Sequence, residues 1–145
     1  MPDISMTVES SGPVFEKSKG NKRINDVTKA FLQRMVELGD ERAKELARSS
    51  PGGLFLSAQI AGDQKSTGNY RRNINSAVQN MTGTITLDLG QVVYGAWIEG
   101  TSSRNSAAQF PGYGLFRKTK EWMEKKIGGE RKEFEKRYAR RLNGI

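Results

Sequence analysis

The chain contains no histidine and no cysteine among its 145 residues. Without histidine it lacks the usual general base, and without cysteine it lacks thiolate nucleophiles, disulfides and the sulfur ligands of zinc sites. Carboxylate catalysis would have to use Asp63, Asp88 and Glu99, which are far apart in the sequence and have no metal or phosphate motif around them. We therefore expect a protein that is not an enzyme and that uses no cofactor and no metal.

Apolar residues are also scarce, at 35% of the chain. This content is low for a self-sufficient fold, so we expect part of the stability to come from neighbouring subunits. No stretch approaches the roughly 18 consecutive apolar residues of a membrane helix, and the start, MPDISMTVES, lacks the basic and apolar regions of a signal peptide. The sequence predicts an intracellular single domain over residues 1–145 with no membrane contact.

Positive charge is abundant and concentrated near the end of the chain. The net charge is +8, and residues 117–141 alone carry an excess of six positive charges. One interpretation is an exposed helix face with internal pairs such as Glu121 with Lys125 and Glu133 with Arg137. The other is a basic extension over 129–145 that contacts DNA or an acidic partner protein. The candidate contact residues of this extension are Arg137, Arg140 and Arg141.

Hydrophobic periodicity predicts an α+β fold. Alternation at Ile4, Met6 and Val8 indicates a short strand in an amino-terminal arm over 1–20. Apolar residues recur at helical spacing from residue 21 to 48 and predict one long amphipathic helix. Gly39 lies inside that helix, where it indicates either close packing or a local break.

The second half of the chain predicts a small sheet. Residues 70–78 and 85–89 alternate around turn residues 80–83, which is typical of an antiparallel hairpin. The run 92–98 is expected to extend that sheet after a bend at Gly90. We thus predict a small antiparallel sheet of three or four strands packed against the long helix. A basic C-terminal helix follows, with Gly128-Gly129 as a kink or hinge between its halves.

The segment VYGAWIEGTSSRN at 93–105 combines aromatic residues, glycines and a glutamate. Aromatic anchors on glycine-bounded backbone are typical of protein interfaces, whereas Trp97 could equally fill the space between sheet and helix. Glu99 could pair with Arg104 or with a basic residue of a neighbouring subunit. The interface candidates of this segment are Tyr94, Trp97, Glu99, Thr101, Arg104 and Asn105.

Three segments, taken in order, resemble a known family. They are ISMTVESSGPVF at 4–15, STGNYRRNI at 66–74, and VYGAWIEGTSSRN at 93–105 with FPGYGLFRKT at 110–119. Together they resemble the tail-completion or minor tail proteins at the head–tail neck of long-tailed double-stranded DNA phages. The chain departs from the family in a longer loop at 102–105 and in its long basic tail after Gly129.

The resemblance implies a virion structural protein that is assembled in the cytoplasm of the bacterial host. It implies an α/β fold and a homo-oligomeric ring, a hexamer, between the connector and the tail tube proteins. Genomic DNA would pass through this ring without specific recognition, so we expect the basic tail to face a protein partner or the outside of the ring. The alternative is a non-specific nucleic-acid-binding protein that uses the basic helix, with Tyr70 beside Arg71 and Arg72.

Overall fold

The computed structural model describes residues 4–9, 22–49 and 69–143. Its elements in chain order are strand β1 (Ile4–Glu9), helix α1 (Lys22–Ser49), the short helix α2 (Asn69–Arg72), strands β2 (Ile74–Gln79) and β3 (Thr82–Leu87), the short helices α3 (Gly95–Glu99) and α4 (Ser103–Ala107), and helix α5 (Leu115–Leu142). The predicted α+β class is confirmed. Most of the predicted arm, residues 10–20, lies outside the described residues. Within the described ranges, no helix has both the length and the apolar content that a membrane span requires.

The described strands form one antiparallel sheet in the order β1-β3-β2. The hairpin between β2 and β3 turns at Asn80 and Met81, whose φ angles are +49° and +62°. Two residues of positive φ match the right-handed twist of paired strands, which explains the tight connection. The predicted hairpin is confirmed, but β2 begins at Ile74, because the preceding residues form α2 and Asn73 bonds back to the Asn69 carbonyl.

The prediction that the segment from Val92 to Ile98 extends the sheet is wrong. Val92, Gly95 and Ala96 are buried, and their spacing of three and four residues fits a helix turn, whereas a strand would bury every second residue. A Cβ atom at Gly95 would lie 2.8 Å from the side chain of Leu87. Only glycine therefore lets this segment pack against the end of β3, and it does so as helix α3.

Helix α1 covers one face of the sheet, and its predicted extent agrees with the structure within one residue at each end. Its buried side includes Leu32, Met35 and Ala43. A Cβ atom at Gly39 would overlap the side chain of Ile85 and would lie 2.5 Å from Met123 Sδ. Of the two predicted reasons for Gly39, close packing is therefore the correct one.

Helix α5 is continuous through Gly128 and Gly129, so the two glycines do not divide it into separate helices. Its first half enters the core through side chains that include Leu115 and Met123. Its second half lies along the first half of α1, where the ring centroids of Phe31 and Phe134 are 4.7 Å apart. The two long helices therefore run antiparallel.

Candidate functional site

The segment after α3 is a loop whose returning half, at Pro111 and Gly112, crosses its start at Gly100. Helix α3 ends at Gly100, whose φ of +85° is the left-handed conformation that glycine adopts most easily. The amides of Gly100 and Thr101 donate to the carbonyls of Trp97 and Ala96, at 3.2 and 2.9 Å. A Cβ atom on Gly100 would overlap the carbonyl oxygen of Pro111, because the returning limb crosses at that point. The loop is held by its own backbone contacts.

Asn105 holds the short helix α4 against α3. Its Oδ1 accepts a hydrogen bond from the Ser102 amide at 2.9 Å, and its Nδ2 donates to the Trp97 carbonyl at 2.8 Å. Only 5% of Asn105 is exposed. The side chain of Asn105 thus bonds within the loop. The prediction that it lies at an interface is wrong, because it does not reach the surface.

Glu99 caps the amino terminus of α5, although it lies 16 residues before Leu115 in the sequence. Its Oε1 accepts from the Leu115 amide at 3.2 Å and its Oε2 from the Phe116 amide at 3.0 Å, while the Tyr70 hydroxyl donates to Oε1. The first amides of a helix have no partner inside the helix, and a carboxylate there is favourable. Both Glu99 oxygens are therefore used within the chain, which differs from the predicted pairing with Arg104 or a neighbour.

The environment of Glu99 shifts its protonation. Burial raises the pKa of Glu99 above its usual 4.5, although the hydrogen bonds from Tyr70 and from the α5 amides act in the opposite direction. Burial also raises the pKa of Tyr70 far above its usual value, so its phenol stays protonated. The neutral Tyr70 hydroxyl therefore donates a hydrogen bond to Glu99, and the protonation state of Glu99 changes with pH.

Tyr70 is fully buried, which changes the interpretation of the TGNYRRN segment. Stacking on nucleic-acid bases requires an accessible ring face, and Tyr70 has none. Its neighbours Arg71 and Arg72 are exposed. The predicted combination of an aromatic ring with two arginines at one nucleic-acid contact is therefore wrong.

Three exposed side chains at the start of α3, Val93, Tyr94 and Trp97, and the half-buried Phe110 that packs on Trp97 make up what we call the aromatic patch. Val93 is 82% exposed, and Tyr94 and Trp97 are 39% and 37% exposed. The Trp97 ring packs on Phe110 with centroids 4.6 Å apart, and Phe110 contacts Tyr113 edge-on at 5.0 Å. Trp97 therefore lies at the surface and does not fill the space between sheet and helix.

Thr101 and Arg104, the two remaining interface candidates of this segment, follow helix α3 in the sequence. Thr101 is exposed, and its hydroxyl donates to the Ala96 carbonyl at 3.3 Å. Arg104 is exposed on α4. Of the six predicted residues, the structure turns Tyr94, Trp97, Thr101 and Arg104 towards solvent and Glu99 and Asn105 towards the interior.

Arg137 and Arg140 lie on a separate surface, which we call the basic groove. This groove of about 620 Å³ runs between the first half of α1 and the second half of α5, with Phe31 and Phe134 in its lining. Arg34 also lines it, with its Nε 4.0 Å from Glu130 Oε2. At 1.5 Å per helical residue, the 22 residues from the start of α5 to Arg137 span about 33 Å, so the aromatic patch and the groove are distinct surfaces.

The charged face of α5 differs in detail from the prediction. The ion pairs join Arg131 to Glu135 at 2.8 Å and Lys136 to Glu133 at 2.9 Å, not the pairs expected from the sequence. The hydrogen bond from Lys136 lowers the pKa of Glu133, with smaller contributions from nearby arginines. These pairs are exposed and contribute little to stability. The side chain of Arg141, also predicted as a contact, lies outside the described set.

Three residues that the sequence-based prediction missed are important in this site. Val93 and Phe110 belong to the aromatic patch, and Tyr70 is the buried partner of Glu99. Phe110 could have been suspected from its position before Pro111-Gly112, a turn sequence that places an aromatic residue at the end of a loop. The role of Tyr70 could not have been predicted from the sequence, since its partner Glu99 lies 29 residues further along the chain.

In the ranges that the structure describes, no group of three or more acidic side chains is placed to hold a metal ion. Comparisons with protein-family models, with curated proteins and with solved structures found no match.

Proposed function

We propose that this protein is a non-enzymatic structural subunit of a phage neck or tail, of the tail-completion or terminator type. In this role copies of the chain form a ring, a hexamer, that joins the tail tube to the head connector. The observation that carries the proposal is the aromatic patch, which lies at helix α3 and at the loop after it, where backbone contacts hold the chain. The resemblance of the three sequence segments to neck proteins supports the same function.

The aromatic patch has the properties of a subunit contact. Aromatic side chains bury a large area and are enriched among the residues that dominate interface energies. The α3–α4 loop is already fixed by the crossing at Gly100 and by Asn105, so little backbone order has to be gained on binding. A side chain such as Val93, 82% exposed, gains most from being covered.

The basic groove suits a second partner. Its lining combines aromatic side chains with three arginines, Arg34, Arg137 and Arg140, and two glutamates, Glu130 and Glu133, which leaves an excess of one positive charge (3 − 2). Arginine on an apolar floor favours an acidic protein surface, because the guanidinium forms paired hydrogen bonds with carboxylates. We assign this groove to a connector or tail tube protein, while genomic DNA passes through the ring without specific recognition. The protein would then reside in the virion after assembly in the host cytoplasm.

The test is the absolute mass of the purified full-length protein, measured by light scattering after size exclusion, with and without duplex DNA. We expect a discrete oligomer whose mass does not change when DNA is added. Negative-stain images of the same fraction should show closed rings. A monomer at all concentrations, or an oligomer that assembles only on DNA, would contradict the proposal.

Binding of nucleic acid by the basic helix is the second candidate function. The observation in its favour is that the second half of α5 exposes many cationic side chains, Arg137 and Arg140 among them. If these contact phosphates, the double change Arg137→Gln/Arg140→Gln should lower the slope of log K against log salt by about two. Lys29→Gln, an exposed change on α1, is the matched control. Weak binding that neither change affects would exclude this candidate.

A further inference from the structure

The three-stranded sheet has two edges, β1 on one side and β2 on the other. Within the described ranges, neither strand has a partner on its outer side. An unpaired edge is a template for another strand, and proteins usually protect such edges with lysine, proline or bulges. The sequences of the two strands, ISMTVE and INSAVQ, contain no lysine, arginine or proline. Both edges are therefore chemically competent to pair.

The two edges also match each other. Ile4 in β1 and Ile74 in β2 both lie opposite Leu87, while Glu9 and Gln79 both lie opposite Thr82. The strands consequently have the same length, run in the same direction and end at the same level. A lateral repeat of the sheet would place the outer side of β2 against the outer side of β1 of another copy, in register and parallel.

The outer side of β1 has space for an added strand. A groove of about 680 Å³ runs between β1 and α5, and its lining includes Met35, Phe116 and Ile127. Ile127 is 38% exposed there. An added strand would pair its backbone with β1 and turn alternate side chains towards these apolar groups, which is the usual geometry of strand addition. Val78, the half-buried apolar residue of β2, would lie on that inward side.

We propose that β2 of one copy pairs with β1 of the next, so that one sheet continues across the subunit boundary. This inference rests on the proposed ring and names one of its contacts. A head-to-tail contact uses two different surfaces of each copy and forms a ring when the rotation closes. A second copy is the favoured occupant because each chain carries both edges, already equal in length, direction and level.

Disulfide cross-linking tests the inference directly, since the chain has no cysteine of its own. Thr7 and Ala77 are exposed and both lie opposite Thr84, so they are level across the sheet. Within one copy their strands are two spacings apart, about 9.6 Å, which is beyond the reach of a disulfide at about 7 Å. Across the proposed junction they would be neighbours at about 4.8 Å.

Mild oxidation of the Thr7→Cys/Ala77→Cys protein should therefore yield a ladder of covalent multimers on a non-reducing gel. The highest rung would equal the number of subunits in the ring. Each single-cysteine variant can form at most a covalent dimer, because it offers one thiol per copy. The matched control Thr7→Cys/Gln33→Cys, with the second thiol on the exposed side of α1, should give no ladder.

The outcomes separate this inference from the proposed ring. Rings of normal mass without a ladder would show that copies meet through other surfaces, which overturns the strand pairing and leaves the ring intact. A strong dimer from Ala77→Cys alone would indicate pairing of β2 with itself and also overturns it. An uncross-linked monomer, with an edge occupied by another part of the same chain, would count against both proposals.

Discussion

At the scale of single residues, Glu99 connects the fold to the candidate site. Its carboxylate accepts hydrogen bonds from the first two amides of α5, and its own backbone ends α3, so it joins the two ends of the loop between Trp97 and α5 that contains Phe110. The contact with Tyr70 extends this closure to the start of the hairpin. The position of the aromatic patch therefore depends on a residue that is not part of the patch.

Removing this carboxylate should destabilise the protein. Glu99→Ala leaves the amides of Leu115 and Phe116 and the buried Tyr70 hydroxyl without their acceptor. An unsatisfied buried group costs about 1–3 kcal/mol, so we expect a loss in that range at neutral pH, measured by urea unfolding followed by circular dichroism. Glu121→Ala, an exposed control on α5, should change stability by less than about 0.5 kcal/mol. Equal effects of the two changes would contradict the capping role.

The raised pKa of Glu99 predicts a pH dependence of stability with a defined sign. The folded protein binds the proton of the Glu99 carboxyl group more tightly than the unfolded chain does, so ionisation of Glu99 opposes folding. The stability of the wild type relative to Glu99→Gln should therefore fall as the pH rises from about 4.5 through the raised pKa, and then level off. Tyr70→Phe removes a hydrogen bond that lowers this pKa, and should move the fall to higher pH. If the stability difference between the wild type and Glu99→Gln rose with pH instead, the hydrogen bonds to Glu99 would have a larger effect on its pKa than burial has.

At the scale of secondary structure, the glycines in the two long helices have opposite roles. Gly39 is where α1 meets Ile85 of the sheet and Met123 of α5, and a side chain there would overlap both. A Cβ atom at Gly128 or Gly129 on α5 would meet no atom of the described residues within 4 Å. Helix propensity alone would treat all three positions alike, whereas packing separates them.

Alanine substitutions test this difference. Gly39→Ala should destabilise the protein by about 1–3 kcal/mol, because the added methyl group overpacks the contact between α1, the sheet and α5. Gly128→Ala and Gly129→Ala should each stabilise it by up to about 1 kcal/mol, since alanine favours the helix and meets nothing. Thermal and urea unfolding of the three variants measure whether the free energy of unfolding falls or rises in each. Stabilisation by Gly39→Ala would show that α1 can shift away from Ile85.

The sequence predicts the elements whose burial follows a regular period, and it fails where packing depends on small residues or distant contacts. The alternation at Ile4 to Val8 and the long stripe of α1 were predicted because each buries one face. Helix α3 was misassigned, since bulky Val93 before it and Trp97 within it are exposed, while small Gly95 and Ala96 are buried. The role of Glu99 depends on partners that only the fold brings together.

At the scale of the whole molecule, the described part of the chain presents three surfaces that could contact other molecules. They are the aromatic patch at the start of α5, the basic groove near its end, and the matched edges of the sheet. A ring needs two contacts that lie on different sides of each copy. In the proposed ring, the sheet edges would supply the backbone pairing, and the aromatic patch would supply further apolar area between subunits or towards an adjacent protein.

The contribution of the aromatic patch can be tested by placing one charge on it. Val93→Asp adds a carboxylate at the most exposed large apolar side chain among the described residues, 82% exposed, so the monomer should lose less than about 0.5 kcal/mol of stability. If the patch is covered in the assembly, burying that carboxylate is costly, and we expect the oligomer to dissociate at a protein concentration at least tenfold higher than for the wild type. Gln33→Asp adds the same charge to the exposed side of α1 and should leave the assembly unchanged. Light scattering over a dilution series measures the dissociation, and urea unfolding confirms that both variants are folded. Assembly of Val93→Asp at wild-type concentrations would show that the patch stays exposed in the assembly, and the proposed ring would then depend on the sheet edges and the basic groove.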